Sequence, residues 1–378
     1  MWRTFHDAWR RLATDHHPRA VSDRLISAAL RAATVPYGLA IALRDAAYRR
    51  RWLAQVRLPC RVISVGNLTV GGTGKTTCVE LIARLLLAEG RRPAVLSRGY
   101  AGPRRSYLLR CERGTLLLDG YPAPDPRTLA DEPQLLARHL DGVPVLVGPR
   151  RDETGRRACA EHDVDTLVLD DGFQHRRLAR DCDIVLVRAG MPLGGWPLLP
   201  RGPMREPLSA LRRADVVVIT KADEDPSLVA ALVERLRSFA PEAAFMTARH
   251  VPEALLEPLR GRTDPPASLN GRRVGLLSSI GDPDGFTATA EGLHAQVLWH
   301  RAFPDHHPYD AADWATLRDQ VRAHRSDGVL TTEKDWVRVE PLARAAPLDI
   351  PVWVLRVRME LLDGQAALTA RLAGARTP

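Results

Sequence analysis

The stretch from Arg61 to Thr77, RVISVGNLTVGGTGKTT, constrains the fold more than any other part of the chain. It opens with the apolar run Val62-Ile63-Ser64-Val65, which reads as a buried strand, and passes through Gly71-Gly72-Thr73-Gly74 into Lys75-Thr76. Beyond that, Val79, Leu81, Ile82, Leu85 and Leu86 recur at helical spacing. Strand, glycine-rich turn, Lys-Thr and helix is the order of a phosphate-binding P-loop. Glycines let successive backbone N–H groups turn toward phosphate oxygens, and the helix N-terminus adds partial positive charge. Thr69, Val70, Gly71, Gly72, Thr73, Gly74, Lys75, Thr76 and Thr77 would then wrap the phosphates of a nucleotide. Lys75 would reach the β- and γ-phosphates, and the Thr76 hydroxyl would ligate Mg²⁺. The usual pattern begins with glycine where this chain has Thr69, so Gly71 and Gly72 would supply the flexibility.

Further apolar runs follow at intervals suited to alternating strands and helices. Ala94-Val95-Leu96 runs into Ser97-Arg98-Gly99-Tyr100, and Val143 to Val147 forms another strand before Arg150-Arg151-Asp152. Thr166-Leu167-Val168-Leu169 ends in Asp170-Asp171-Gly172-Phe173-Gln174-His175. Four apolar residues ending in Asp describe a Walker B strand, whose carboxylate stands beside the metal held by the P-loop hydroxyl. Adjacent carboxylates are costly unless a cation or a donor faces them. Cys182 to Val187 and Ala214 to Ile219 are the next strands, the latter ending in Thr220-Lys221-Ala222-Asp223, one residue away from the base-reading tetrad of GTPases. The alternation from residue 61 to about 245 implies a parallel, doubly wound α/β sheet.

A Pro- and Arg-rich stretch at 250–270 reads as a linker to a second, smaller α/β unit. That unit starts with the strand Val274 to Leu277 and the loop Ser278 to Pro283, continues through Phe303-Pro304-Asp305-His306-His307-Pro308-Tyr309, and has later strands at Val329 and Val352 to Val357. The expected layout is 1–58 as an amphipathic helical segment, 59–250 as the nucleotide-binding core, 251–271 as linker and 272–378 as the second domain. Thr332-Glu333-Lys334-Asp335 reads as a polar loop after a strand. Asp-His-His invites a metal reading, but no partner cluster stands near it at ligand spacing, and a hydrogen-bonded His–Asp pair suits it better. Asp131, at the head of a helical stretch from Gln134 to Leu140, is placed like a helix cap.

Composition narrows the partners. The formal charge of +9 invites a nucleic-acid or anionic-membrane reading, but the arginines are spread over every segment and no aromatic-rich basic platform accompanies them. Of 54 basic residues only Lys75, Lys221 and Lys334 are lysines, so each marks a place where a compact ammonium is needed. The five cysteines are dispersed and without a CxxC pair, which argues against a disulfide framework or zinc site and for a reducing compartment. Residues 1–20 are polar and show no cleavable signal peptide. In 21–58, Arg24, Arg31 and Arg44 interrupt the apolar residues short of the roughly 20 needed to span a bilayer. A basic amphipathic helix closed by Arg49-Arg50-Arg51-Trp52 suits a membrane interface; it would equally suit packing on the protein's own surface.

Taken in order, VGNLTVGGTGKT (65–76), LSRGY (96–100), DEP (131–133), DDGFQH (170–175), LPRGPMREP (199–207), ITKAD (219–223), SSIGDP (278–283), FPDHHPY (303–309) and TTEKD (331–335) resemble the tetraacyldisaccharide 4′-kinase family. Thr at the first P-loop position is also that family's habit. Two departures stand out: Asp282 where the family has Asn, and Arg201 inside the LPxGxxREP loop.

The resemblance implies transfer of the ATP γ-phosphate to the 4′-hydroxyl of a tetraacylated glucosamine disaccharide 1-phosphate, the lipid A precursor, giving lipid IVA. It implies a P-loop core with a smaller α/β domain closing over the cleft, ATP and Mg²⁺ as requirements, no nucleic acid, and an N-terminal helix on the cytoplasmic face of the inner membrane. It assigns Asp131 as general base, oriented by His306 from the second domain, with Lys75 and Arg205 on the transferring phosphate. Thr76, Asp170, Asp171 and Glu206 would hold or orient the metal, and Asn67, Arg98, Gln174 and His175 would contact substrate. A reading from another class remains at this point: a P-loop partitioning ATPase, in which the DEP, DHH and EKD motifs would have no task.

Overall fold

The computed structural model describes residues 21–99, 106–123, 128–192, 195–223 and 225–374. Tyr100 and the segment 1–20, read above as lacking a signal peptide, lie outside the described residues.

In chain order the elements begin with α1 (Val21–Arg49), β1 (Arg61–Asn67), α2 (Lys75–Ala88), β2 (Pro93–Ser97), β3 (Tyr107–Glu112), β4 (Thr115–Leu118), β5 (Tyr121–Pro122), α3 (Asp131–His139) and β6 (Val145–Val147). Then come α4 (Arg151–Glu161), β7 (Thr166–Asp170), β8 (Cys182–Arg188), a 3₁₀ turn (Leu208–Arg213), β9 (Val216–Thr220), α5 (Pro226–Arg237), β10 (Ala244–Glu257) and β11 (Arg262–Asp264). The last group is β12 (Arg273–Ser278), α6 (Pro283–Gly292), β13 (Gln296–Ala302), α7 (Ala311–His324), β14 (Gly328–Thr332), α8 (Glu333–Ala345), β15 (Val352–Leu361) and α9 (Gln365–Ala373).

These elements form two compact units, one of Met1–Arg98, Arg150–Arg249 and Leu361–Pro378, the other of Gly99–Pro149 and His250–Glu360. In the first unit the strands run in the order β10-β9-β8-β1-β7-β2, every pairing parallel. Chain order reverses at β1: β7 and β2 lie on one side, β8, β9 and β10 on the other. This is double winding, and it puts the loop after β1 at the switch point, where open sheets bind ligands. Parallel strands covered by helices must be apolar throughout. Accordingly Val62, Ile63, Val65, Leu167, Val168, Leu169, Val216 and Val217 are 0–1% exposed.

In the second unit β13-β12-β14-β15 pair in parallel, and β6-β3-β4-β5 pair antiparallel. Two cores hold it, one around Phe286, Leu276 and Trp353, the other around Trp314, Trp336 and Val339.

Several expectations are revised. The stretch 251–271 is not a linker: it carries the end of β10, the strand β11 paired to it at Leu255–Asp264, and a 3₁₀ turn. Its prolines and arginines sit on half-exposed or exposed strand and turn positions, which a composition reading takes for a linker. The second unit also takes in residues 99–149 and gives up 361–378, because its hairpin is inserted between β2 and α4. TTEKD is no loop: Thr332 caps α8, its side chain accepting from the Asp335 N–H. Cys60 and Cys159 are joined by a disulfide (S–S 2.09 Å), contrary to the reading from cysteine spacing. They are 99 residues apart, so only the packing of α4 onto the sheet brings them together. Finally, α1 is one continuous helix through Pro36, and Ile26–Arg49 is long and apolar enough to cross a membrane by length and composition. No charge intervenes between Arg31 and Arg44, which the count of interrupting arginines obscured.

Candidate active site

The phosphate loop is built as the sequence demands. Gly74 takes a left-handed conformation (φ 84°) that a side chain would resist, and caps α2 so that Lys75 and Thr76 open the helix. The Asn67 side chain donates to Thr73 Oγ1 at 2.8 Å, and Thr77 Oγ1 donates to Gly74 O at 2.9 Å, fixing both ends of the loop. Thr69 needs no glycine: it lies in extended pairing with Met204, next to the hydrogen bonds Val70 N to Pro203 O (2.8 Å) and Arg205 N to Leu68 O (2.7 Å). The LPRGPMREP loop is thereby laced to the P-loop, and Arg205 arrives with it.

β1 and β7 pair with Val65 opposite Asp170, so the carboxylates emerge beside the loop. The approach is close: a Cβ on Gly66 would lie 2.6 Å from the Phe173 Cβ. Ser97 Oγ donates to Asp170 Oδ2 at 3.1 Å. Asp171 has a left-handed backbone (φ 50°), a costly conformation for a non-glycine residue that functional sites tend to hold. Its carboxylate faces Lys75 Nζ at 3.9 Å and accepts from Arg205 Nη1 at 2.7 Å, while the buried Arg151 donates to its carbonyl at 2.9 Å. Burial opposes ionisation of Asp171, but Lys75 and Arg205 outweigh it and hold the carboxyl below the ordinary range. Gln174 Nε2 donates to Asn67 O at 3.0 Å. The arrangement is a phosphate-sized cradle of backbone amides with three cationic side chains gathered on one aspartate.

The second unit carries a separate cluster around Asp131, the first residue of α3. His306 Nδ1 donates to Asp131 Oδ2 at 3.3 Å, and Lys334 Nζ donates to His306 Nε2 at 3.2 Å, which sets the imidazole tautomer. Lys334 Nζ also lies 3.2 Å from Glu132 Oε1 and 3.0 Å from Asp305 Oδ1. Arg338 Nη2 stands 2.6 Å from Asp131 Oδ2, and its Nε donates to the same oxygen at 2.9 Å. Burial raises the Asp131 pKa, yet His306 and Arg338 prevail and keep it below the ordinary carboxylate value. His306 itself sits at φ 61°, a second left-handed site residue. Beneath this cluster the fully buried Asp335 accepts from Ser279 N (2.9 Å), Ser279 Oγ (2.6 Å), Tyr309 Oη (3.0 Å) and Thr332 Oγ1 (2.7 Å). One carboxylate therefore ties SSIGDP, FPDHHPY and TTEKD together. Asp131, Glu132 and His306 have ligand atoms close enough for a metal, but Lys334 and Arg338 already neutralise the two carboxylates.

Residues 26–376 match the family model for tetraacyldisaccharide-1-P 4′-kinase. A tetraacyldisaccharide 4′-kinase of Anaeromyxobacter dehalogenans is 45% identical over 352 residues, 92% of this chain and 90% of the relative. One from Syntrophus aciditrophicus is 40% identical over 360 residues, covering 93% and 94%. The crystal structure of LpxK from Aquifex aeolicus in complex with ATP superposes with a TM-score of 0.71 at 28% identity, over 93% of this chain and 100% of that one. This chain belongs to the tetraacyldisaccharide 4′-kinase family.

Against the family's motifs, the site residues fall into three groups. Asn67, Thr69 to Thr77, Asp170, Asp171, Gln174 and Arg205 gather in the first unit around the P-loop. Asp131 and His306 meet in the second unit; they share one compact body, so their pairing needs no movement of one domain onto the other, contrary to the expectation that His306 reaches Asp131 from a different domain. The rest lie apart from these two clusters of contacts. Glu206 is buried, with one carboxylate oxygen against Arg44 of α1 and the other 2.5 Å from Arg213, so both oxygens serve ion pairs. His175 is pressed to a pKa of about 4 by burial and by Arg151, so its ring is neutral, while Arg98 is exposed at the end of β2. Asp282 caps α6 by accepting from Gly285 N at 3.3 Å, a bond that Asn would also make. Sequence reasoning gave Arg151 no role and passed over Arg338. Neither stands in a motif, and only the helical offset of Arg338 from Lys334, one turn along α8, hints at a shared face.

Proposed function

We propose that this enzyme transfers the γ-phosphate of ATP to the 4′-hydroxyl of tetraacyldisaccharide 1-phosphate, forming lipid IVA. The reading is carried by Asp171 held between Lys75 and Arg205 beside a complete P-loop, in a chain that matches the family from residue 26 to 376. ATP phosphates would lie on the loop amides of residues 71–76, with Lys75 and Arg205 facing the charge that develops on the transferring group. Asp131, kept ionised by Arg338 and His306, accepts the proton of the sugar hydroxyl. The hydroxyl oxygen forms the new bond to the γ-phosphorus, the bond to the bridging β-oxygen breaks, and ADP leaves. His306 orients the Asp131 carboxylate and Lys334 fixes the His306 ring.

The Thr76 hydroxyl and the Asp170 carboxylate are hard oxygen donors at adjoining ends of α2 and β7, and they fit Mg²⁺. When bound, that ion neutralises charge on the nucleotide phosphates. We assign α1 to the cytoplasmic face of the inner membrane. Val35, Leu39 and Leu43 are 59–71% exposed along it, at a spacing that makes one apolar stripe.

The test is transfer of label from γ-labelled ATP to tetraacyldisaccharide 1-phosphate in detergent micelles, with and without Mg²⁺. A bisphosphorylated lipid formed only with the metal supports the reading. ATP hydrolysis with no lipid product would sink it.

A further inference from the structure

In the second unit α3 and α8 pack against each other and carry the Asp131 cluster between them, Asp131 and Glu132 on the first, Lys334 and Arg338 on the second. α3 has only nine residues, too few to be stable alone, and its N-cap Ala130 makes no side-chain cap bond. Where Asp131 stands is therefore set by what holds α3 from outside. Arg338 holds the N-terminal end. The C-terminal end has a tie of its own, formed by residues that the reaction does not use. His139, the last residue of α3, donates from Nε2 to Glu333 Oε1 at 2.9 Å, and Arg356 Nε of β15 donates to the same oxygen at 2.9 Å. Glu333 opens α8, where the positive helix end suits a carboxylate. The His139 and Glu333 side chains are only 8% and 13% exposed, so water does not compete strongly for their bond. His139 and Arg356 outweigh burial and keep the Glu333 carboxyl below its ordinary pKa, so it stays a charged acceptor.

We propose that the His139–Glu333 pair positions the base, holding the far end of α3 on α8 and so aiming Asp131 for proton transfer. The bonds from His306 Nδ1 and from Arg338 Nε and Nη2 all fall on Asp131 Oδ2. With one oxygen gripped, the direction of Oδ1 follows the path of the helix. A helix held at one end swings about that end and turns the residue there with it. Released at His139, α3 would turn Asp131 and lengthen the bonds from Arg338, whose charge favours the ionised carboxylate. His139 and Glu333 are thus positioning residues that act through α3. The proposal rests on the reading of Asp131 as general base.

The experiment measures kcat, KM for ATP and the acid limb of kcat/KM for the full chain, with tetraacyldisaccharide 1-phosphate in detergent micelles. The set is wild type, Glu333→Ala, His139→Ala, the double variant and His139→Gln, with thermal melting to check each fold. Each single alanine variant should lose about tenfold in kcat at unchanged KM for ATP, as a small misplacement of a reacting group does. The double variant should lose no more than either single, because the two act as a unit. His139→Gln keeps an N–H donor toward Glu333 and should hold kcat within about twofold of wild type. In Glu333→Ala the acid limb should move to higher pH. Loss of a nearby negative charge would by itself move it lower, so the upward shift reports position. If the alanine variants do not melt cooperatively, Glu333→Gln, of the same shape, carries the same measurement. An unmoved limb with kcat falling only as the folded fraction falls would mean that the pair merely holds the unit together, and would overturn the proposal. Losses that multiply in the double variant would overturn it too. Asp131→Asn, run alongside, keeps two failures apart. Full turnover there would remove the base and this proposal with it, whereas an inactive Asp131→Asn with unmoved limbs would strike the pair alone.

Discussion

Arg338 grips a single oxygen of Asp131, Nη2 at 2.6 Å and Nε at 2.9 Å, and spends its remaining Nη1 on Ser279 Oγ (2.9 Å) and the His307 carbonyl (3.1 Å). One guanidinium thus sets the charge of the proposed base and ties it to the loops on either side. Asp131→Ala should lower kcat by about 10²- to 10⁴-fold, the usual worth of a general base, while ATP still binds. Steady-state kinetics with a nucleotide-binding assay checks this, and full turnover would remove Asp131 from the reaction.

Arg338→Met tests the electrostatic half of that arrangement. Asp131 accepts a proton only when ionised, so the acid limb of kcat/KM follows its pKa. In the wild type the limb should fall below the ordinary value of 3.8, and in the variant it should move up. The stability effect has a matching sign. A depressed carboxyl contributes fully above its unfolded pKa and loses that contribution as pH falls through the folded value. Acid denaturation should therefore cost the variant less than the wild type.

Lys334 is surrounded by Glu132, Asp305 and the His306 ring, and its pKa is raised: burial disfavours the charge, but the two carboxylates overcome it. Its contribution to stability is complete below the ordinary 10.5 and is lost as pH rises through the folded value. Lys334→Met should flatten this alkaline loss and lower kcat through the freed His306 ring. An unaltered pH–stability curve would separate Lys334 from its ion pairs.

Lys75→Met should lower kcat by about 10²- to 10³-fold, as expected for removing a donor aimed at developing charge. It should also raise the Asp171 pKa, since Lys75 is the strongest influence lowering it. Titration of the Asp171 carboxyl by NMR in the two proteins checks the second effect independently of turnover.

Glu206→Gln separates ion pairing from metal binding. It leaves Arg44 and Arg213 without their buried counter-charge, so stability should fall by about 3 kcal/mol, measured by denaturant unfolding. The Mg²⁺ concentration dependence of turnover should not change. A shifted metal requirement would restore Glu206 as a ligand.

What could be read in advance divides along a physical line. The P-loop, the Walker B strand and the parallel sheet were legible because each depends on local order: apolar runs, glycines with positive φ, and a polar residue at a strand end. Asp131 and His306 were legible only through a family likeness, since they are 175 residues apart and neither position is chemically unusual in its own neighbourhood. Arg338 and Arg151 escaped because an arginine on a helix looks the same whether it faces solvent or a carboxylate. The ion pairs of Glu206 escaped for a related reason. Its arginine partners come from α1 and a 3₁₀ turn, while the family likeness pointed only to the metal. The Cys60–Cys159 bridge and the strand in place of the 251–271 linker likewise depend on contacts between distant segments.

The interleaving of the two units has a consequence for how the protein is made. Strand β2 of the nucleotide unit is followed by the hairpin of the other unit, and the nucleotide unit receives its last helix only after β15, with Arg61 Nη2 reaching the Arg371 carbonyl at 2.9 Å. On the ribosome, then, neither unit has all its segments until the chain is nearly finished. The P-loop emerges early and waits through most of translation for the helix that completes its own fold, so this enzyme depends on late, long-range closure where most domains fold as they appear.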